Sequence, residues 1–275
     1  MTHIVIGDTV AHLLCDVFGP VVAKYSFLQE NTGKLMFWGK ISGETNDYLI
    51  SYSLTPEFGF PKKKFFFCTT ADFTLGQMPD LSDEFGKMAS AITAPFRGEP
   101  SLPLMPDGSA GEPDEPVPEP AEGEEPVVPP ERFREMHRLA YATYTIDHDV
   151  AILPKGAFIV DASHTVCKNL AYTGLSYEAA GNMANYYHFR TPESARAKAG
   201  LEKPGIVRAG DFMDPIVEDS PKGAWSLAYD TSSTIATLRS FYWPGYFFYH
   251  VVESAEYGGV YFGDGLPNVD LPFML

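Results

Sequence analysis

The chain has 275 residues, 45% of them hydrophobic, with 20 Lys+Arg against 36 Asp+Glu and a formal net charge of −16 at pH 7. That length allows one large domain or two smaller ones, with a core large enough to need no disulfide or metal. The acidic balance repels a phosphate backbone and an anionic bilayer, which argues against nucleic acid and membrane surfaces and favours basic protein partners.

Cys15, Cys68 and Cys167 are odd in number, far apart and in no zinc-ligand spacing. They are expected as buried thiols in a reducing compartment. The opening MTHIVIGDTV has no basic segment before a long apolar run, and no apolar stretch approaches the ~20 residues of a spanning helix. A soluble, cytosol-facing protein is expected.

From Thr9 to Gln29, Val10, Leu13, Leu14, Val17, Phe18, Val21, Val22, Tyr25 and Leu28 recur at helical spacing. Gly19-Pro20 divides the pattern into two short helices, and Asn31-Thr32-Gly33 ends it. Leu35–Ile41 and Asp47–Leu54 read as a hairpin turning through Ser42–Asn46, with Phe65–Thr70 as a third strand behind three lysines, 62–64. Those lysines mark either a solvated strand start or a basic docking patch. A capped helix follows from Ser82 to Ile92.

Between Gly98 and Glu131 the chain holds ten Pro, ten Asp/Glu and no Lys or Arg. Mutual repulsion and fixed φ angles oppose a core there, so a disordered acidic insert is expected. Removing its ten acids from the net −16 leaves −6, ordinary for a soluble domain. The resulting division is 1–97, 98–131 and 132–275, with the outer two parts forming one folded unit.

Beyond the insert a helix is expected from Pro129-Pro130-Glu131 to about Tyr144. Two short strands, Val150–Leu153 and Ala157–Val160, hinge at Pro154-Lys155-Gly156. A helix from Tyr177 to Tyr187 follows, capped by Ser176, then a polar stretch from Thr191 to Asp219. Ala224–Tyr229, Thr234–Ser240, Tyr246–Glu253 and Tyr257–Phe262 read as an antiparallel meander. The predicted class is α+β, with a mostly antiparallel sheet, flanking short helices and the insert.

Seven of the nine residues from Phe241 to Tyr249 are aromatic, and the sequence ends on Leu271-Pro272-Phe273-Met274-Leu275. Large rings dominate cores and interfaces, and an apolar end implies that something covers it. Trp243, Tyr246, Phe248, Leu271, Phe273, Met274 and Leu275 are therefore candidate interface anchors. Filling the chain's own core is the competing role for each.

Reactive constellations are sparse. There is no phosphate loop, no GxGxxG opening a helix, no GxSxG and no HExxH. Gly258-Gly259 and Gly263-Asp264-Gly265 have the spacing of a hairpin turn. His148 between Asp147 and Asp149, expected in a loop before Val150, is the closest approach to an acid/base cluster. Ser163-His164 near Cys167 lacks an orienting third group. His188 and Arg190 fit a helix end. No catalytic residue, cofactor or metal is assigned. A small-molecule enzyme or sensor using His148 or His164, and an adaptor using the Pro-rich insert, stand as alternatives.

Several fragments in series carry a resemblance. They are Phe37-Trp38-Gly39-Lys40-Ile41, Asp47-Tyr48-Leu49-Ile50, Ala151-Ile152-Leu153-Pro154-Lys155-Gly156-Ala157 and Tyr187-His188-Phe189-Arg190. Phe212-Met213-Asp214, Pro221-Lys222-Gly223, Trp243-Pro244-Gly245 with Phe248-Tyr249-His250, and Asp270-Leu271-Pro272-Phe273-Met274-Leu275 complete the series. Together they resemble the radial spoke head protein 9 family. The resemblance implies a non-catalytic subunit of the radial spoke head in the 9+2 axoneme, contributing to head assembly and to relaying central-pair signals to the dyneins. It also implies radial spoke head proteins 4, 6 and 1 as partners, transient contact with the central pair apparatus, and a cytoplasmic, cytoskeletal location in the cilium or flagellum.

Overall fold

The computed structural model describes residues 35–112, 132–232 and 234–274. The two helices expected between Thr9 and Gln29, and residues 113–131 of the expected insert, lie outside the described residues.

The first hairpin forms as its alternation predicts. Strand β1 (Leu35–Ile41) pairs antiparallel with β2 (Tyr48–Thr55), β2 with β3 (Lys62–Thr69), and β3 with β4 (Gly76–Gln77). The last four strands also pair in sequence, as the expected meander: β9 (Trp225–Tyr229), β10 (Ile235–Ser240), β11 (Tyr246–Val251) and β12 (Tyr257–Gly263). A parallel pairing of β1 with β12 joins the halves into one eight-stranded sheet, ordered β4-β3-β2-β1-β12-β11-β10-β9. The fold is thus α+β around an antiparallel-rich sheet. Gly39 permits the junction: a Cβ there would stand 2.2 Å from the Tyr261 carbonyl oxygen. Gly258 and Gly259 lie inside β12, opposite Tyr249 and Phe248, and form no hairpin turn.

Helix α1 (Asp83–Ala91) begins at Ser82, whose hydroxyl accepts the Phe85 N–H at 3.2 Å. Helix α2 (Glu135–Val150) runs later than expected, starting past the prolines and continuing six residues beyond Tyr144. Partners distant in sequence hold that extension. Asp147 accepts from the Trp38 indole at 3.2 Å and from Lys63, and Asp149 accepts from the Trp243 indole at 2.9 Å. Acids in a last turn oppose the helix dipole, and these donors offset that cost. Of the three lysines, Lys62 and Lys64 are exposed, whereas Lys63 turns inward over the rings of Tyr52 and Phe189.

Leu139, Ala140, Ile146 and Val150 of α2 pack with Trp38, Ile50, Phe65, Leu238, Phe248 and Tyr261 in one hydrophobic cluster drawing on both ends of the sequence. Each such large side chain contributes about 1.5–3 kcal/mol of burial.

The expected helix from Tyr177 to Tyr187 is corrected. Helix α3 (Tyr177–Ala180) stops at Gly181, a 3-10 turn spans Met183–Asn185, and β8 (Tyr186–His188) pairs with β5 (Ile152–Pro154). Strand pairing outcompetes the helical pattern because Tyr186 and His188 bury completely there. Strand β6 (Phe158–Val160) pairs instead with β7 (Val166–Lys168). The polar stretch carries helix α4 (Ala195–Leu201), capped by Ser194.

The start of the expected insert is also corrected. Residues 98–112 are placed and partly packed: Leu104 is buried with Phe133, and its N–H donates to the Phe133 carbonyl at 3.1 Å. Buried Glu135 anchors this stretch. Its carboxylate accepts from the Tyr48 hydroxyl at 2.6 Å and from the N–H groups of Arg97, Gly98 and Glu99 at 2.7–3.3 Å. Arg138, buried beside it, stacks over Phe96 and donates to the carbonyls of Ala94 and Pro95. Gly98 (φ +94) can be nothing larger, since a Cβ would meet the Asn46 carbonyl oxygen at 2.2 Å.

Candidate functional site

In β11 the pleat sends Tyr246, Phe248 and His250 inward and leaves Phe247 and Tyr249 half-buried on the other face. Trp243 is buried by its bond to Asp149, and Leu271 is buried at the start of α5 (Leu271–Met274). Four of the seven candidate anchors thus sit in the chain's own core. Phe273 and Met274 are 88% and 71% exposed, and Leu275 lies outside the described residues. Asn268 ties α5 to the aromatic turn: its N–H donates to the Tyr242 carbonyl at 2.7 Å and its amide to the Phe241 carbonyl at 3.2 Å. Val269 and Phe241 are exposed beside it, so apolar side chains gather around Asn268.

The sequence candidates for chemistry separate in space. Ser163 Oγ donates to Asp161 at 2.7 Å, while His164 Nδ1 faces the Leu201 carbonyl at 3.1 Å. Cys167 is half-buried, and burial, then the charge of Asp161, pushes its thiol up, away from a reactive thiolate. Cys68 is buried. His148 lies in the last turn of α2, not in a loop, with Asp147 and Asp149 turned to different indoles.

His148 nevertheless borders a cavity of about 560 Å³ between the end of α2, the Arg190–Ser194 loop, the Asp214–Pro221 loop and the aromatic turn. Arg190 Nη1 approaches the His148 ring at 2.7 Å and pairs with Glu193 at 3.4 Å. His188 sits in a strand, not at a helix end, and is 1% exposed. Its Nε2 lies 2.8 Å from Asp219, whose other oxygen accepts the Trp225 indole N–H at 2.7 Å.

Asp214 accepts the N–H groups of Glu193 and Ser194 at 2.7 and 3.3 Å, together with the Ser194 hydroxyl. Burial raises the carboxyls of Asp149 and Asp214, but their hydrogen bonds and the nearby Arg190 charge outweigh it and hold both below the ordinary range. Two polar atoms in this wall, His188 Nδ1 and Arg190 Nε, are buried with no hydrogen-bond partner. Sequence reading missed the cavity, since its walls come from segments up to 95 residues apart. Among the described residues no group of three His, Cys, Asp or Glu could hold a metal, and no helix is long and apolar enough to cross a membrane.

No family model matches the chain. Compared with curated proteins, it is 37% identical over 244 residues to the radial spoke head protein 9 homolog of Danio rerio, covering 88% of this chain and 85% of that protein. The homologs of Homo sapiens and Bos taurus are 33% and 32% identical over 249 residues, with the same coverage. The chain belongs to the radial spoke head protein 9 family. The fragments that resemble this family fall largely on buried positions: Trp38 and Ile41 in β1, Tyr187 and His188 in β8, Phe212-Met213-Asp214 against the cavity loop, and Trp243 with Phe248.

Proposed function

We propose that the chain is a non-catalytic structural subunit of the radial spoke head in the axoneme of motile cilia and flagella. The observation that carries this is its membership of the radial spoke head protein 9 family over 88% of its length. The scattered fate of Ser163, His164 and Cys167 supports the non-catalytic part. In this reading the chain holds radial spoke head proteins 4, 6 and 1 together in the head and meets the central pair transiently, helping to pass its signals to the dyneins.

The docking surface is the exposed apolar group around Asn268: Phe241, Val269, Phe273 and Met274. Buried Trp243, Tyr246, Phe248 and Leu271 form the rigid base behind it, since a patch seated on packed rings keeps its shape on binding. Co-expression with a radial spoke head protein 4 or 6 relative, followed by size-exclusion chromatography with light scattering, tests it. A stable complex is expected, weakened by Phe273→Asp with Met274→Asp while the isolated chain keeps its circular dichroism. A complex indifferent to both substitutions moves the interface elsewhere, and no complex at all counts against the spoke-head role.

A further inference from the structure

We propose that β9, the strand at one end of the eight-stranded sheet, pairs antiparallel with β9 of a second copy of this chain, so that two sheets run on as one. The two edges of the sheet differ in protection. Strand β4 is two residues long and runs straight into Met78-Pro79. Short strands and proline are common guards of an edge. Strand β9 spans five residues, Trp225–Tyr229, without a proline, a glycine or a charge, and its register with β10 is unbroken. Among the described residues no strand pairs with its other side.

The ladder fixes which backbone groups point outward. Just beyond the strand ends, the Phe241 N–H donates to the Ala224 carbonyl at 2.8 Å and the Asp230 N–H to the Ile235 carbonyl at 3.0 Å. Hydrogen-bonded pairs alternate along an antiparallel ladder, so Ser226 and Ala228 also face β10, while Trp225, Leu227 and Tyr229 aim their N–H and C=O groups away from it. Among the described residues none of these outward groups meets another backbone group. A second β9 laid antiparallel about Leu227 matches the pattern. Leu227 stands opposite Leu227 and Trp225 opposite Tyr229, so outward groups meet outward groups and both copies present the same patch. The side chains agree with that register. Trp225, Leu227 and Tyr229 share one face and form aromatic and aliphatic cross-strand pairs, while on the other face Ser226 meets Ala228 with no charge between them. Lys222 precedes the strand and Asp230 follows it, so the two-fold brings opposite charges from the two copies to each end. The neutral edge permits this approach in a chain of net charge −16, and the two-fold match selects a second copy over an unrelated strand.

Five strand residues a side fall short of the ~20–30 of a standard interface, so the dimer is a weak one, with a Kd of about 10–100 µM. The test is sedimentation equilibrium of the full chain up to about 300 µM, where the mass should rise toward twice that of one chain. Ser226→Glu with Ala228→Glu sets like charges opposite each other across the two-fold and should weaken association by at least about tenfold. Ser226 is half-buried, Ala228 is exposed, and neither belongs to a hydrophobic cluster, so the circular dichroism should be unchanged. Ser226→Lys with Ala228→Lys should fail to self-associate in the same way, yet mixing the Glu and Lys variants should restore a dimer. Phe273→Asp with Met274→Asp should leave the dimer intact, because the tail patch is not part of this edge. A chain that stays monomeric at about 300 µM, a dimer indifferent to the Glu variant, no recovery on mixing, or a dimer lost with the two tail substitutions overturns the proposal. So does a complex with a radial spoke head protein 4 or 6 relative that the Glu variant abolishes while the chain alone stays monomeric, since the edge then belongs to that partner. Self-association is read without any partner, so its failure leaves the spoke-head role standing.

Discussion

Two clusters of charge lie at opposite ends of α2, and they are built differently. At the N-terminal end Glu135 is enclosed, and the Tyr48 hydroxyl and three backbone N–H groups surround its two oxygens. At the C-terminal end the carboxylates of the cavity stand around open space, and two buried polar atoms there have no partner. A saturated, closed cluster holds the fold: it stitches α2 to β2 and to the loop at 94–99. An open, under-satisfied cluster contributes less to stability.

The largest effect should come from opening the closed cluster. Glu135→Ala strands the Tyr48 hydroxyl, three N–H groups and the neighbouring Arg138, and should cost about 3–5 kcal/mol in urea-induced unfolding. A loss under about 1 kcal/mol would mean that this cluster is as open as the other.

Acid should find the enclosed groups next. Burial lowers His250 to about 4, below the ordinary 6.5, so it is neutral in the fold while the unfolded chain takes up a proton. Stability present above pH 6.5 is therefore lost as pH falls toward 4, by about 2 kcal/mol between pH 7 and 5. His250→Gln should flatten that window in unfolding curves measured across pH. Asp149 and Asp214, depressed in the fold, begin to cost stability only at lower pH, as it falls through the carboxylate range.

Trp243→Phe keeps the ring but loses the bond to Asp149. About 1 kcal/mol of destabilisation is expected, with Asp149 rehydrated through the cavity. A loss of several kcal/mol would show that the cavity end is closed after all. The smallest effect belongs to the exposed rim: Glu193→Gln and Glu218→Gln should each shift stability by less than about 0.5 kcal/mol, read from thermal melts.

Much of the fold was legible because its signals are local. The alternation in 35–54 and 224–262, the cap at Ser82 and the meander's short turns each depend on residues a few positions apart. The cavity was not legible, since His188, Asp219 and Arg190 fit helix-end and loop roles until β8 pairs with β5. The insert boundary failed for a related reason. Composition marks 98–131 as one acidic stretch, yet Glu135, outside it, binds the N–H of Gly98.

By itself the sequence determined the α+β class, most strands, the family through its ordered fragments, and a surplus of aromatic anchors. Tertiary structure alone decided which anchors are spent inside. The pleat and the Asp149 bond turn Trp243, Tyr246 and Phe248 inward, while Phe273 and Met274 remain outside. It also decided that β1 and β12, at opposite ends of the described chain, lie side by side. Propensity and period are properties of neighbouring residues, whereas burial and hydrogen-bond saturation depend on what arrives from far along the chain.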